Sequence, residues 1–388
     1  MTPAESSQEA PAQRGSLAEV ALVFLRLGLT AFGGPAAHVA LMEDEFVRRR
    51  RWLTRDKFLD LLGAAQLIPG PNSTELAIHL GYLRAGWPGL VAAGTCFILP
   101  AALLVAALAW AYRSFHSLPA SAGMLYAVKP VVVAVVLQAL LRFARTAVRT
   151  PFLAAVVVAA VVAAALRAHE LAILAGAGLG TALGRGFARG RRPSAALLFA
   201  AAPAAGPTFA VPFGLWPLFL FFLKVGSVLF GSGYVLLAFL RADLVERYGW
   251  LTEEELLDAI AVGQVTPGPV STTATFIGFY LGGPAGAVVA TVGIFLPGFV
   301  LVALSGPIVP RLRRHRAAGD FLDGVNAASL ALIAVVTWDL GKAALVDVPT
   351  WVLAVVSAAL LLRWRVNAAW LVVGAALVGI AMVAMGLR

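Results

Sequence analysis

Arg26 and Lys224 each interrupt a long apolar run, and they lie 198 residues apart. Pro69-Gly70-Pro71 and Pro267-Gly268-Pro269 recur at that same spacing. A cation at the centre of a membrane helix costs about 2.5–3.5 kcal/mol on insertion scales, so it needs a reason to be there. A Pro-Gly-Pro will not continue a straight helix, because proline lacks a donor and clashes with the preceding turn. The half-helix that restarts after the break presents unpaired N–H groups and the positive end of its dipole. Asn72, Ser73 and Thr74 follow the first break, and Ser271, Thr272 and Thr273 follow the second. Cations, open helix N-termini and hydroxyl donors suit an anion, and a matched pair of cations suits a divalent one.

Plainer readings stand beside this one. Arg26 and Lys224 could snorkel to an interface or pair with an acid, with Glu75 and Asp258 as candidate partners. A Pro-Gly break can merely shape packing, although two matched breaks followed by hydroxyl residues argue against that. The Phe32-Gly33-Gly34-Pro35 break resembles Phe230-Gly231-Ser232-Gly233, and packing or anion contact would equally use such small residues. Glu75 and His79 lie four apart on one helical face, suiting either a proton relay or a polar packing network. Gln66 and Gln264 cap broken ends, and His38 reads as a satisfied core histidine. Trp52 and Trp250 read as interfacial anchors. Thr54 and Thr252 read as N-caps, with Thr252 and Glu255 forming a capping box.

The elements that position these residues follow from a duplication. Phe24, Gly28, Trp52-Leu53-Thr54, Asp60, Gln66 and Ser73 recur as Phe222, Gly226, Trp250-Leu251-Thr252, Asp258, Gln264 and Ser271. Only 13% of residues are charged and the mean hydropathy is +0.87. Soluble domains carry about 25% charge, so this is a polytopic membrane protein. Spanning segments must satisfy their own backbone, which makes them helices, and no period-two alternation supports a β-barrel. The expected fold is all-α, with about ten transmembrane helices and two re-entrant hairpins tipped by Pro-Gly-Pro. In the first half the spans fall near 17–41, 88–112, 120–141, 151–167 and 170–186. In the second they fall near 213–240, 285–306, 321–341, 349–362 and 367–386. The hairpin arms are 54–68 with 72–82, and 252–266 with 270–282. The chain thus divides into a polar tail (1–16), a first half (17–192), a linker (193–212) and a second half (213–388).

Five spans per half would invert one half relative to the other. With the 42–57 loop inside, 20 basic residues fall on the cytoplasmic side and 7 outside, as the positive-inside rule asks. The equivalent loops agree. Residues 43–57 hold six basic residues, whereas 241–258 hold two basic and six acidic. Arg26, Lys129 and Lys224 remain within the membrane. The net charge of +10 is spread over these short loops, which excludes a nucleic-acid partner. Cys96 is the only cysteine, so no disulfide or thiolate metal cluster forms. No Walker loop, nucleophile elbow or His-rich cluster is present, so neither an enzyme nor a cofactor or metal site is expected.

Phe-Gly-Gly-Pro after an apolar helix, a basic stretch ending in Trp-Leu-Thr, and then Gln66-Leu67-Ile68-Pro69-Gly70-Pro71-Asn72-Ser73-Thr74-Glu75 resemble the chromate ion transporter family. Gln264-Val265-Thr266-Pro267-Gly268-Pro269 repeats the resemblance, which covers about 17–386, the long two-domain form. The resemblance implies export of chromate, or a similar oxyanion such as sulfate, across the bacterial inner membrane. The substrate would bind at Arg26, Gly33, Gly34, residues 69–74, Lys224, Gly231, residues 267–269, Ser271 and Thr272. Glu75 and His79 would be the candidates for proton coupling. Rocking of one half against the other would give alternating access, and the lipid bilayer leaves room for a homodimer. The rivals are a lipid-phosphate flippase, an intramembrane enzyme acting on an anionic headgroup, or an anion channel. The topology is open to reporter fusions: one near Glu246 should report the periplasm and one near Arg50 the cytoplasm. The same compartment for both would overturn the inversion.

Overall fold

Proline and glycine mark the main helix breaks of this chain, although Pro100 and Pro130 lie inside helices. The computed structural model describes residues 15–32, 34–115, 118–189, 212–230, 233–314, 316–364 and 366–386. Gly33, Gly231, residues 1–14 of the polar tail and residues 193–211 of the linker lie outside the described residues. Every regular element among the described residues is helical. The first repeat holds α1 (Leu17–Thr30), α2 (Pro35–Glu43), α3 (Arg55–Ala65), α4 (Ser73–Phe115), α5 (Pro119–Ala147), α6 (Pro151–Ala165) and α7 (Glu170–Ala188). The second holds α8 (Leu215–Val228), α9 (Leu236–Phe239), α10 (Glu253–Val265), α11 (Thr273–Arg314), α12 (Arg316–Ala344), α13 (Val348–Arg363) and α14 (Ala368–Ala384). The two series match element for element. A π-helical turn follows α2 at Asp44–Arg49, and another follows α9 at Leu240–Arg247. Thr54 caps α3 through Lys57 N, and Thr252 with Glu255 forms the capping box of α10.

Two expected spans are broken. The 17–41 helix stops at Thr30 and resumes at Pro35, and the 213–240 helix stops at Val228. Gly34 takes φ +78, a left-handed conformation that glycine adopts freely. Each first piece is only 14 residues, about 21 Å at 1.5 Å per residue, shorter than the roughly 30 Å hydrocarbon core.

The helices that restart after the Pro-Gly-Pro tips soon fold back. α4 is non-helical at Ala85 and Gly86, and α11 at Gly282 and Gly283. A Cβ on Gly81 would lie 2.3 Å from Ala93 Cβ. Those residues would be about 18 Å apart along a straight helix, so the chain reverses between them. Gly278 meets Gly286 in the same manner. Five helical stretches, including the long arms of α4 and α11 with α5, α7 and α12, are long and apolar enough to cross a membrane.

Packing crosses the duplication. α1 lies on α4 and α8 on α11, within each repeat. α6 and α7 instead pack on α12, while α13 and α14 pack on α5. Small residues allow these approaches: a Cβ on Gly379 would sit 2.1 Å from Gly123 O, and one on Gly324 would sit 2.3 Å from Ala177 O. α5 and α12 also pack directly on each other, so the two repeats interlock rather than lie side by side. Trp52 does not anchor at an interface as expected. It is buried against Phe46, with the Arg84 guanidinium 4.9 Å from its ring centroid.

Gly28 and Gly226 set the α1–α4 and α8–α11 spacing. Their Cβ positions fall 2.7 Å from Phe97 O and 2.3 Å from Ile294 O. Gly28→Val and Gly226→Val should each cost about 1–3 kcal/mol, read as a lower melting temperature of the purified protein. Gly176→Ala, with nothing within 4 Å, should be neutral or slightly stabilising.

Candidate functional site

Each Pro-Gly-Pro tip reaches into the helix break of the other repeat. Gly70 N donates to Leu229 O at 2.7 Å, and Gly268 N donates to Ala31 O at 2.8 Å. The donors are 198 residues apart and so are the acceptors, so the two bonds are reciprocal, as twofold-related copies require. Leu229 and Ala31 end their helices, where carbonyls lack an intrahelical partner. Gly70 (φ +145), Asn72 (φ +41) and Gly268 (φ +86) hold backbone that most L residues disfavour. His38 is buried as expected, with Nε2 3.1 Å from Ala31 O and Nδ1 3.2 Å from Ser73 Oγ. It therefore ties the first break to the helix that follows the first tip.

The hydroxyl residues after the tips divide into two groups. Ser73 and Thr272 use their hydroxyls locally, on Pro71 O and Pro269 O. Thr74 Oγ1 and Ser271 Oγ are buried without a hydrogen-bond partner among the described residues. Glu75 is 1% exposed and folds back beneath the first tip, filling the place a side chain on Gly70 would take. It also abuts Gly298 of the second repeat. Glu75 Oε2 and His79 Nε2 both lack a partner among the described residues.

Arg26, Lys129 and Lys224, the cations expected within the membrane, have different surroundings. Lys224 is ion-paired with Asp243, which also accepts from Arg247, and Arg247 reaches Glu170 at 2.8 Å. Asp258, the expected partner within the repeat, instead faces Lys129 of the first repeat at 3.5 Å and accepts from Tyr112 Oη at 2.9 Å. Arg26 is exposed beside Leu22, Leu25 and Leu29, with no ion-pair partner among the described residues. Glu75 is not that partner, because its carboxyl is committed beneath the tip. The Lys129–Asp258 pairing could not be read from spacing, since it joins helices of different repeats.

A polar cavity of about 460 Å³ lies where the first break meets the second tip. Phe32, Gly34 and Pro35 line it from one repeat, and Gln264, Gly268 and Val270 line it from the other. Tyr234 bridges the two, donating to Gln264 Oε1 at 3.3 Å beside Gly34. Gln138 and Arg142 of α5 form a further wall. Arg26 and Lys224 are absent from the lining. Sequence reasoning placed Arg142 among the loop cations and passed over it, although its four-residue spacing from Gln138 puts both on one helical face. A smaller cavity of about 140 Å³ holds Gln66 and Asn72 with Arg149 and Asn326.

Reciprocal breaks, short apolar helices and a polar cavity between the copies define a duplicated, multi-pass helical membrane protein of the transporter class. The family described as chromate transporter matches residues 18–182 and again 216–380. This chain belongs to that family. It is 34% identical to the chromate transport protein of Cupriavidus metallidurans, over 94% of this chain and 93% of that one. It is 31% identical to a probable chromate transport protein of Synechococcus elongatus, over 91% of each. It is 34% identical to the chromate transport protein of Pseudomonas aeruginosa, over 84% of this chain and 82% of the other. No solved structure matches it.

Gly268 and Gly86 separate tip contact from backbone strain. Both have positive φ, but only Gly268 has a close neighbour, Ala101 Cβ at 2.7 Å from its Cβ position. Left-handed strain alone costs an L residue about 1–2 kcal/mol. Gly86→Ala should lower stability by that much and keep transport. Gly268→Ala should cost more and also abolish transport at measurable membrane abundance.

Proposed function

We propose that this protein exports chromate, or a similar oxyanion such as sulfate, from the cytoplasm across the bacterial inner membrane. Access would alternate around an anion site near mid-membrane, where the two tips cross. The crossed tips carry the mechanistic part of this reading, because broken helices from two repeats meeting at one level form the usual site of secondary transporters. The cargo rests on family membership over both repeats. α3 with the first arm of α4, and α10 with the first arm of α11, would be re-entrant hairpins entering from opposite faces of an inverted repeat.

The physics of export suits a dianion. An interior-negative potential favours its exit by about 2.3 kcal/mol per charge per 100 mV, roughly 4.6 for two charges. Uniport would therefore suffice. Coupling to protons through Glu75 or His79 would add concentrating power. The helix starts at Asn72–Thr74 and at Ser271–Thr272 would supply donors to the oxygens. Arg26 and Lys224 would act as matched charges that attract the anion, with Lys224 leaving Asp243 during the cycle.

The test is chromium accumulation in a chromate-sensitive bacterium expressing this protein, against an empty vector. Lower accumulation is expected, with resistance falling in Arg26→Ala and Lys224→Ala at membrane abundance near wild type. Unchanged accumulation in cells that contain the protein would discard chromate as cargo. Full resistance in both variants would remove the two cations from the mechanism.

A further inference from the structure

We infer that Arg142 of α5 and Gln264 at the second tip form the direct binding site for a tetrahedral dianion. The inference rests on the oxyanion reading above and names residues it does not. Arg142 is solvent-exposed on the wall of the 460 Å³ cavity and has no ion-pair or hydrogen-bond partner among the described residues. That volume lies within the roughly 300–1,000 Å³ usual for small-molecule sites. Of the paired cations, Lys129 and Lys224 face carboxylates. Arg142 faces an amide, a phenol and glycine backbone instead.

Gln264 supplies the second observation. Its Oε1 accepts from Tyr234 Oη, which turns the amide nitrogen the other way. That Nε2 is buried without a partner, a state proteins avoid unless a ligand or water completes it. Ser271 Oγ is a further buried donor without a partner, one residue beyond Val270 in the cavity wall. A guanidinium and the unused amide N–H of Gln264 on one cavity match an acceptor-only anion, with the Ser271 hydroxyl just behind the wall. A guanidinium fork also binds two oxygens of such an ion at once, which a lysine cannot.

The duplication argues that the site occurs once. α5 and α12 are both 29 residues long, and Arg142 aligns with Asp339. Asp339 pairs with Arg241 at 3.2 Å and Lys342 at 2.8 Å. The twofold counterpart of the cation is thus a carboxylate already held by cations, a poor place for an anion. Gln66, the counterpart of Gln264, lines only the 140 Å³ cavity. There Arg149 is engaged, donating to Thr146 O at 2.9 Å.

Titration calorimetry of chromate and of sulfate against the purified full-length protein tests this. Arg142→Gln and Gln264→Leu should each weaken both ions by about tenfold or more, the scale of a lost hydrogen bond to a charge. Arg142→Lys should recover part of the loss. Arg145→Gln removes an exposed charge outside the cavity and should change affinity by less than about fivefold. Melting temperatures of the Arg142 variants should stay near wild type, because Arg142 holds no other residue in place, whereas Gln264→Leu also removes the acceptor of Tyr234 Oη and should melt somewhat lower. If Arg142→Gln fails to fold, Arg142→Lys and Gln264→Leu carry the comparison. Wild-type affinity in folded Arg142→Gln, or an equal loss in Arg145→Gln, overturns the site and leaves the oxyanion reading standing. A wild-type protein that binds neither ion overturns both.

Discussion

Everything near the centre of this protein depends on two hydrogen bonds between backbone groups, Gly70 N to Leu229 O and Gly268 N to Ala31 O. Each satisfies a donor at a tip and a carbonyl at a helix end that has no partner within its own helix, with His38 Nε2 adding a second bond to Ala31 O. Because each bond joins the two repeats, neither repeat can complete its own centre. Glycine at these donors is required by left-handed φ and by crowding, from Glu75 at Gly70 and from Ala101 at Gly268. A side chain at either position would push the tip out of the opposite break. The polar cavity, the placement of Gln264 and the bridge through Tyr234 all follow from that crossing.

The same interdependence extends outward. α7 packs on α12 and α14 on α5, through contacts that admit only small residues. The outer bundles therefore mix helices from both repeats around a shared core. The two glycine reversals, at Ala85–Gly86 and Gly282–Gly283, let each tip helix return and continue as a spanning helix.

A twofold backbone carries charges that are not twofold. Glu75 has Thr273 as its counterpart, Lys129 has Asn326, and Arg142 has Asp339. Lys129 is answered by Asp258 and Tyr112, whereas Asn326 lines the small cavity beside Asn72. Duplication thus supplies two related backbones, and these unmatched pairs make their surroundings chemically different.

Residue types and spacing determined the all-helical membrane class, the duplication, the tips, the caps at Thr54 and Thr252, and the buried role of His38. Each is a local property, set by hydropathy, by proline and glycine, or by a side chain bonding within a turn or two. The breaks at Phe32–Pro35 and after Val228 were visible as glycine-rich motifs but were read as parts of continuous spans, because apolar composition does not reveal where a helix stops. Only the tertiary structure decided which helix faces which. It put Lys224 on Asp243, Lys129 on Asp258, Arg26 on a leucine face and Arg142 in the polar cavity. Those pairings join helices up to 146 residues apart, as Tyr112 and Asp258 are. They are set by helix packing, within the second repeat for Lys224 and Asp243 and across the repeats for Lys129 and Asp258, a non-local energy that no window of sequence contains.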